Sequence, residues 1–82
     1  MNKLKEDIIQ YMNTKTRFSL DDDDDNVLLY STRENGDMEH DRAGEEDILR
    51  ARQIREALYK VFPVKSIRID TCDEWTFLQI EV

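Results

Sequence analysis

The stretch VKSIRIDTCDEWTFLQIEV, residues 64–82, decides the fold because its apolar residues alternate on both sides of a short polar turn. Ile67 and Ile69 share one face of the first segment, and Leu78 and Ile80 share one face of the second. A two-residue turn at the Asp-Glu pair between them places Ile69 opposite Leu78, which gives both strands one common apolar face. The same register pairs Ile67 with Ile80, Cys72 with Trp75, Asp70 with Phe77, and Arg68 with Gln79.

The segment before this hairpin predicts a helix that ends at a proline. Its apolar residues step by three or four positions, as one face of a helix requires. They are Ile48, Ala51, Ile54, Leu58 and Val61. Three acidic residues at positions 45–47 begin the segment and most of the bases follow, an order that complements the helix dipole. Pro63 ends the helix because it has no N–H and disfavours the helical conformation at Phe62.

The N-terminal half has the same plan of a helix followed by a hairpin. An apolar stripe that includes Leu4 and Ile8 predicts a helix over roughly residues 3–13, with Asn2 as its N-cap. Residues 15–20 and 26–33 then predict two strands, and the five aspartates between them predict a break. Glu6 and Ile8 correspond to Glu56 and Leu58 at an offset of 50 positions, so an αββ unit is used twice.

Asn35-Gly36 is the strongest short hairpin signal in the chain and predicts a return strand over residues 37–40. The alternative is an irregular acidic loop that continues to Gly44. We therefore predict an α+β fold, a two-layer sandwich with two helices on one face of a four- or five-stranded antiparallel sheet, in the order α-β-β-(β)-α-β-β. Residues 1–82 form one domain. The predicted core is Leu4, Ile8, Met12, Phe18, Leu20, Val27, Leu29, Ile54, Leu58, Val61, Ile67, Ile69, Leu78 and Ile80.

The chain of 82 residues carries 19 acidic and 12 basic residues, a net charge of −7. Twelve of the acids lie between Leu20 and Asp47, where only Arg33 and Arg42 oppose them. Such a field disfavours direct binding to nucleic acid or to an anionic membrane, because both need cationic contacts. Two interpretations stay open: an acidic surface that maintains solubility, or an acidic face directed at a basic partner.

The candidate partner-binding acids are those of the aspartate run and of the segment after the second strand. They are Asp21, Asp22, Asp23, Asp24, Asp25, Glu34, Asp37, Glu39 and Asp41. The run lacks the glycine and glutamate spacing of an EF-hand, so we expect no metal site and no cofactor. His40 and Cys72 are single and have no predicted catalytic partner, and no glycine-rich phosphate loop is present. We expect no enzymatic activity.

Trp75 and Phe77 fall on the face of the last hairpin opposite its apolar face. Two large aromatic side chains there have three interpretations. They are covered by another element of the same chain, they form a protein or homodimer interface, or they stack on nucleobases. The last interpretation requires surrounding bases, and only Arg68 is predicted nearby.

These features predict a small, non-catalytic, acidic protein-interaction module. The leading hypothesis is a stoichiometric inhibitor of the nucleic-acid-mimic type that phages and mobile elements encode, docked on a basic surface of a larger protein. The alternative is a structural or regulatory module that self-associates as a homodimer through its outer sheet face. A single cysteine and the lack of any long apolar segment predict a cytoplasmic location.

Overall fold

The computed structural model describes residues 3–82, which contain two helices and one four-stranded sheet. In chain order the elements are α1 (Lys3–Lys15), β1 (Ser19–Asp23), β2 (Val27–Thr32), α2 (Glu45–Val61), β3 (Ser66–Cys72) and β4 (Trp75–Glu81). The strands are antiparallel and lie in the order β1-β2-β4-β3. The chain is therefore α+β with the predicted order α-β-β-α-β-β. Asn2, the predicted cap of α1, lies outside the described residues.

The C-terminal hairpin has the predicted register in full. Ile69 pairs with Leu78 and Ile67 with Ile80, and a two-residue turn follows Cys72. Asp73 has a φ of 53°, in the left-handed region that aspartate tolerates better than most residues. The end of α2 also agrees with the prediction, because the backbone is extended from the residue that precedes the proline.

The central pair of strands, β2 and β4, joins the two αββ units. Leu28 pairs with Ile80 and Tyr30 pairs with Leu78. An offset of 50 positions relates Leu28 to Leu78 and Tyr30 to Ile80, so the pairing is symmetric about the central pair, Leu29 with Gln79. The two units therefore meet through equivalent strands in opposite directions.

One hydrophobic cluster takes residues from both helices and from all four strands or their flanks. The buried members are Ile8, Met12, Phe18, Leu28, Tyr30, Ala51, Leu58, Ile67, Leu78 and Ile80. The predicted phase of β2 was wrong: Val27 and Leu29 are only partly buried, and their neighbours are buried instead. The reason is the β4 register, because residues opposite one another across a ladder share a face.

Two other residues predicted for the core are exposed. Leu20 is 38% exposed on the edge strand β1, where the pairing is irregular between Leu20 and Asp22. Val61 is 60% exposed in the last turn of α2, and Phe62 and Val64, just after the helix, pack against the cluster instead. Periodicity alone missed both because it does not show where an element ends or which strand lies at the edge.

The aspartate run and the segment after it also differ from the prediction. Three aspartates extend β1 to Asp23, which an edge strand tolerates because its side chains reach water. Residues 37–40 are not a fifth strand but part of a turn closed by a single bridge between Asp37 and Arg42. The glycine before it has no positive φ; a Cβ at Gly36 would lie 2.3 Å from the Glu74 carbonyl oxygen. Close backbone approach, not hairpin geometry, requires glycine here.

A buried carboxylate attaches this loop to α2. Asp47 is fully buried in the first turn of the helix, whose N-cap, Gly44, supplies no side-chain hydrogen bond. The carboxylate accepts the backbone N–H of Asn35 at 2.9 Å and its side-chain amide N–H at 3.1 Å. Both donors belong to Asn35, so the Asp47 carboxylate fixes both the loop backbone and the Asn35 side chain.

Replacement of Asp47 tests this attachment. Asp47→Asn keeps the volume but turns an amide toward two donors, and a buried donor left unpaired costs about 2 kcal/mol of unfolding free energy. Urea denaturation followed by circular dichroism measures the change. Glu46→Gln, an isosteric change at the exposed preceding position, should change the stability by less than about 0.5 kcal/mol. Equal effects of the two substitutions would contradict the role of Asp47.

Tyr30 is the largest fully buried side chain, and its hydroxyl has no hydrogen-bond partner within residues 3–82. Burial, with a smaller contribution from the Asp23 carboxylate, raises the pKa of Tyr30 to about 12. The buried Thr76 hydroxyl also has no hydrogen-bond partner within residues 3–82. Since unpaired buried hydroxyls are destabilising, both positions favour an apolar replacement.

Tyr30→Phe should raise the unfolding free energy by about 1 kcal/mol at neutral pH. The raised pKa of Tyr30 means that the folded state holds the phenol proton more tightly than the unfolded state does. In wild type, the stability linked to this proton is complete below pH 10 and is lost between pH 10 and about 12. Tyr30→Phe should reduce that alkaline loss. Thr76→Val, which removes the other hydroxyl but no titrating group, should stabilise similarly and keep the loss. Urea unfolding at neutral and alkaline pH separates the two, and destabilisation by Tyr30→Phe would be the contrary result.

Candidate protein-interaction surfaces

The predicted acidic residues form two groups along β2. Residues 21–25, here called the aspartate turn, comprise the end of β1, where Asp22 pairs with Leu29 and Asp23 with Leu28, and the first residues of the connection to β2. Glu34 and the acids of residues 37–41, here called the acidic loop, follow β2 at its other end. β2 has six residues, and a strand of that length spans roughly 20 Å. The twelve acids of the central segment therefore do not form one contiguous patch.

The aspartate turn is fully open to solvent, and all five of its residues are exposed. Lys5 of α1 forms an ion pair with Asp23 and donates to the Asp24 carbonyl oxygen at 2.6 Å. Asp24 N–H also donates to the Val27 carbonyl oxygen at 2.9 Å, which closes the turn. Within residues 3–82, the other four carboxylates of the turn form no ion pair. The turn is a dense negative charge with one local counterion.

In the acidic loop, by contrast, two acids have a side-chain partner within the chain. Glu34 accepts a hydrogen bond from Arg17 at 2.7 Å. Asp37 lies 2.7 Å from His40 Nδ1, and the hydrogen bond with His40 holds the pKa of Asp37 below its usual value. The other two acids of this loop, Glu39 and Asp41, form no ion pair among the described residues. Two of the four loop acids therefore have partners within the described chain, against one of the five aspartates in the turn.

Two acids that the sequence analysis did not select join the acidic loop. Asp73 and Glu74 form the turn between β3 and β4, and the Gly36 backbone packs against Glu74. Glu74 also lies 3.5 Å from the Arg33 guanidinium. The hairpin register alone could not place this turn beside the loop, because that juxtaposition depends on the β2–β4 pairing.

The predicted aromatic pair is present on β4. The Trp75 and Phe77 rings stack with centroids 6.4 Å apart and an interplanar angle of 29°. The Arg33 guanidinium lies 5.0 Å from the centroid of the Trp75 ring, within cation–π distance. Both aromatic residues are half-buried. The pair is thus a half-buried aromatic stack with a cation over one of its rings.

Like-charge repulsion in the aspartate turn should make the stability depend on salt. Asp22→Asn together with Asp25→Asn removes two charges that have no counterion, and should raise the unfolding free energy at low ionic strength by less than about 1 kcal/mol. The gain should shrink as salt screens the turn. Asp23→Asn loses the Lys5 ion pair and should give no gain. Thermal unfolding across a salt series measures both, and identical behaviour of the two variants would contradict this distinction.

Comparison with known proteins gives no functional assignment. Within residues 3–82, no group of three or more His, Cys, Asp or Glu side chains is arranged to hold a metal ion. In the same part of the chain, neither helix has the length and apolar character needed to cross a membrane. No protein-family model matches the sequence, and no curated protein or solved structure is significantly similar to it.

Proposed function

We propose that this chain is a non-catalytic acidic interaction module that docks its aspartate turn on a basic surface of a larger protein. The observation that carries the proposal is the exposure of five consecutive aspartates, of which only Asp23 has a counterion, Lys5, within residues 3–82. Carboxylates that the chain does not neutralise are available to lysine and arginine side chains of a partner. Long-range attraction of this kind accelerates association and weakens as salt is added.

The aspartate turn is preferred over the acidic loop as the principal contact. Three carboxylates at the loop end, those of Glu34, Asp37 and Glu74, already have partners within the chain. A binding partner would have to displace these contacts, whereas the turn offers its charges directly. Glu39 and Asp41, without counterions in the described residues, form a secondary contact for a partner with basic groups roughly 20 Å apart.

The module acts by stoichiometric occlusion rather than by chemistry. A run of closely spaced carboxylates imitates the charge of a nucleic-acid backbone, and a protein that binds nucleic acid through basic residues would accept it in the same place. An inhibitor of the mimic type, of the kind that phages or mobile elements encode, works in this way. Its place of action would be the cytoplasm, where an exposed free cysteine such as Cys72 stays reduced.

A two-layer arrangement supports a second surface on the same module. α1 and α2 both contribute buried residues to the cluster that contains Leu28 and Leu78, so we place both helices on one face of the sheet. The alternate residues of β4, including Trp75 and Phe77, then form the other face. The stacked ring pair favours an alternative function, a homodimer through this face, because aromatic residues are enriched at the centres of protein interfaces.

Charge reversal tests the principal proposal. Asp22→Lys with Asp25→Lys leaves the Lys5–Asp23 ion pair intact but reverses two unpaired charges of the turn. A nuclease-treated pull-down from host lysate, read by quantitative mass spectrometry, should lose a basic nucleic-acid-processing protein that wild type retains. The recovered partner is then titrated with both proteins, and the affinity of the variant should fall by roughly a hundredfold at low salt.

A matched control reverses the same amount of charge at the other end of the sheet. Glu45→Lys with Glu46→Lys changes two exposed carboxylates and should retain the partner with an affinity within roughly tenfold of wild type. Loss of the partner by both double variants would indicate a dependence on net charge alone. Retention by both would refute the aspartate turn as the docking site, and recovery of only the bait would favour the homodimer.

A further inference from the structure

A groove between α2 and the edge strand β3 contains cations that lack carboxylate partners. Its volume is about 380 Å³. The lining residues are Ile48, Arg52, Arg55, Ile69, Asp70 and Thr71. Within residues 3–82 neither Arg52 nor Arg55 forms an ion pair, although the chain has 19 acidic residues. Two arginines against one aspartate give the lining of this groove a net charge of +1 in a protein of net charge −7.

The backbone of β3 adds a hydrogen-bond donor to the groove. A two-residue turn closes the hairpin with a hydrogen-bonded pair, so every second residue of β3 turns its N–H and C=O to the free edge. Tyr59 accepts the Ile67 N–H at 2.8 Å, and the Asp70 carboxylate accepts the Thr71 N–H at 2.9 Å. Ile69 lies between them, and its outward N–H has no such side-chain partner among the described residues. The free edge of β3 therefore has one N–H without a side-chain partner in the described residues, that of Ile69, beside Arg52 and Arg55.

We infer that this groove binds an acidic, extended segment of a protein partner. Carboxylates of the segment bind Arg52 and Arg55, and a backbone carbonyl of the segment accepts the Ile69 N–H. The alternation of an extended peptide places its carboxylates on one face, the face that meets α2, while the residues between them point away. The inference is independent of the proposed docking by the aspartate turn, because the two surfaces have opposite charge.

A partner segment fits this groove better than a second copy of the chain. The acidic strand that a second copy offers is β1, whose pairing is irregular between Leu20 and Asp22. A copy bound through β1 would also bring together two chains of net charge −7, which opposes association. A head-to-tail contact of two different edges cannot form a symmetric dimer and would continue into a ring or a filament.

Fluorescence anisotropy with a labelled synthetic peptide tests the inference on the full chain. The probe is an acetylated and amidated heptapeptide that alternates glutamate and valine, and its counterpart replaces each glutamate with lysine. Wild type should bind the glutamate peptide saturably and the lysine peptide not at all. Arg52→Glu and the milder Arg52→Gln should each weaken binding by roughly tenfold or more, the loss of one charge-assisted hydrogen bond.

Lys60→Glu is the matched control, since it makes the same charge change on the same helix at a lysine paired with Glu56 outside the groove. It should change the affinity by less than roughly threefold. Amide chemical shifts in wild type should move at Ile69 on titration. Absence of saturable binding, an equal loss in the Lys60 variant, or dissociation of a pre-existing dimer by the peptide would overturn the inference. Circular dichroism confirms that each variant is folded.

Discussion

The antiparallel ladder between β2 and β4 is the contact on which the rest of the structure depends. It joins strands that are far apart in the chain, whereas the other two ladders join neighbours through short turns. A single αββ unit has only a two-stranded sheet, which is marginally stable alone. The ladder makes one four-stranded sheet from two hairpins, and it brings buried residues of both helices, such as Ile8 and Leu58, into one cluster.

The register of a strand could be predicted from the sequence where the strand pairs with its neighbour in the chain, but not where it pairs with a distant strand. The last hairpin could be predicted pair by pair because both of its strands alternate and share one turn. β2 could not, because Val27, Leu28, Leu29 and Tyr30 are all apolar and local alternation does not choose between its two faces. The choice comes from β4, a partner some fifty residues away in the chain. Register with a distant strand is tertiary information that local periodicity does not contain.

The candidate site shows the same division. Composition identified the acidic residues, and the turn at residues 21–25 is exposed as an unneutralised aspartate run requires. Their distribution over two ends of the sheet follows from the direction of β2, and the addition of Glu74 to the acidic loop follows from its pairing with β4. The sequence predicts Asp47 only as one of three acids in the first turn of α2, yet it is fully buried. Only the hydrogen bonds from Asn35 distinguish it from its exposed neighbours.

The placement of charge along the chain links stability to binding. Folding holds the five carboxylates of residues 21–25 together, and Lys5 offsets one of them. This repulsion opposes the closed turn more than the unfolded chain, in which the charges move apart. Cations that approach the turn from outside remove the repulsion and therefore bind the folded state better than the unfolded state. A ligand with that preference raises the stability of the fold, and the gain grows with the logarithm of the ligand concentration above its Kd. The same aspartates that weaken the isolated domain would thus couple its stability to the proposed binding of a basic partner.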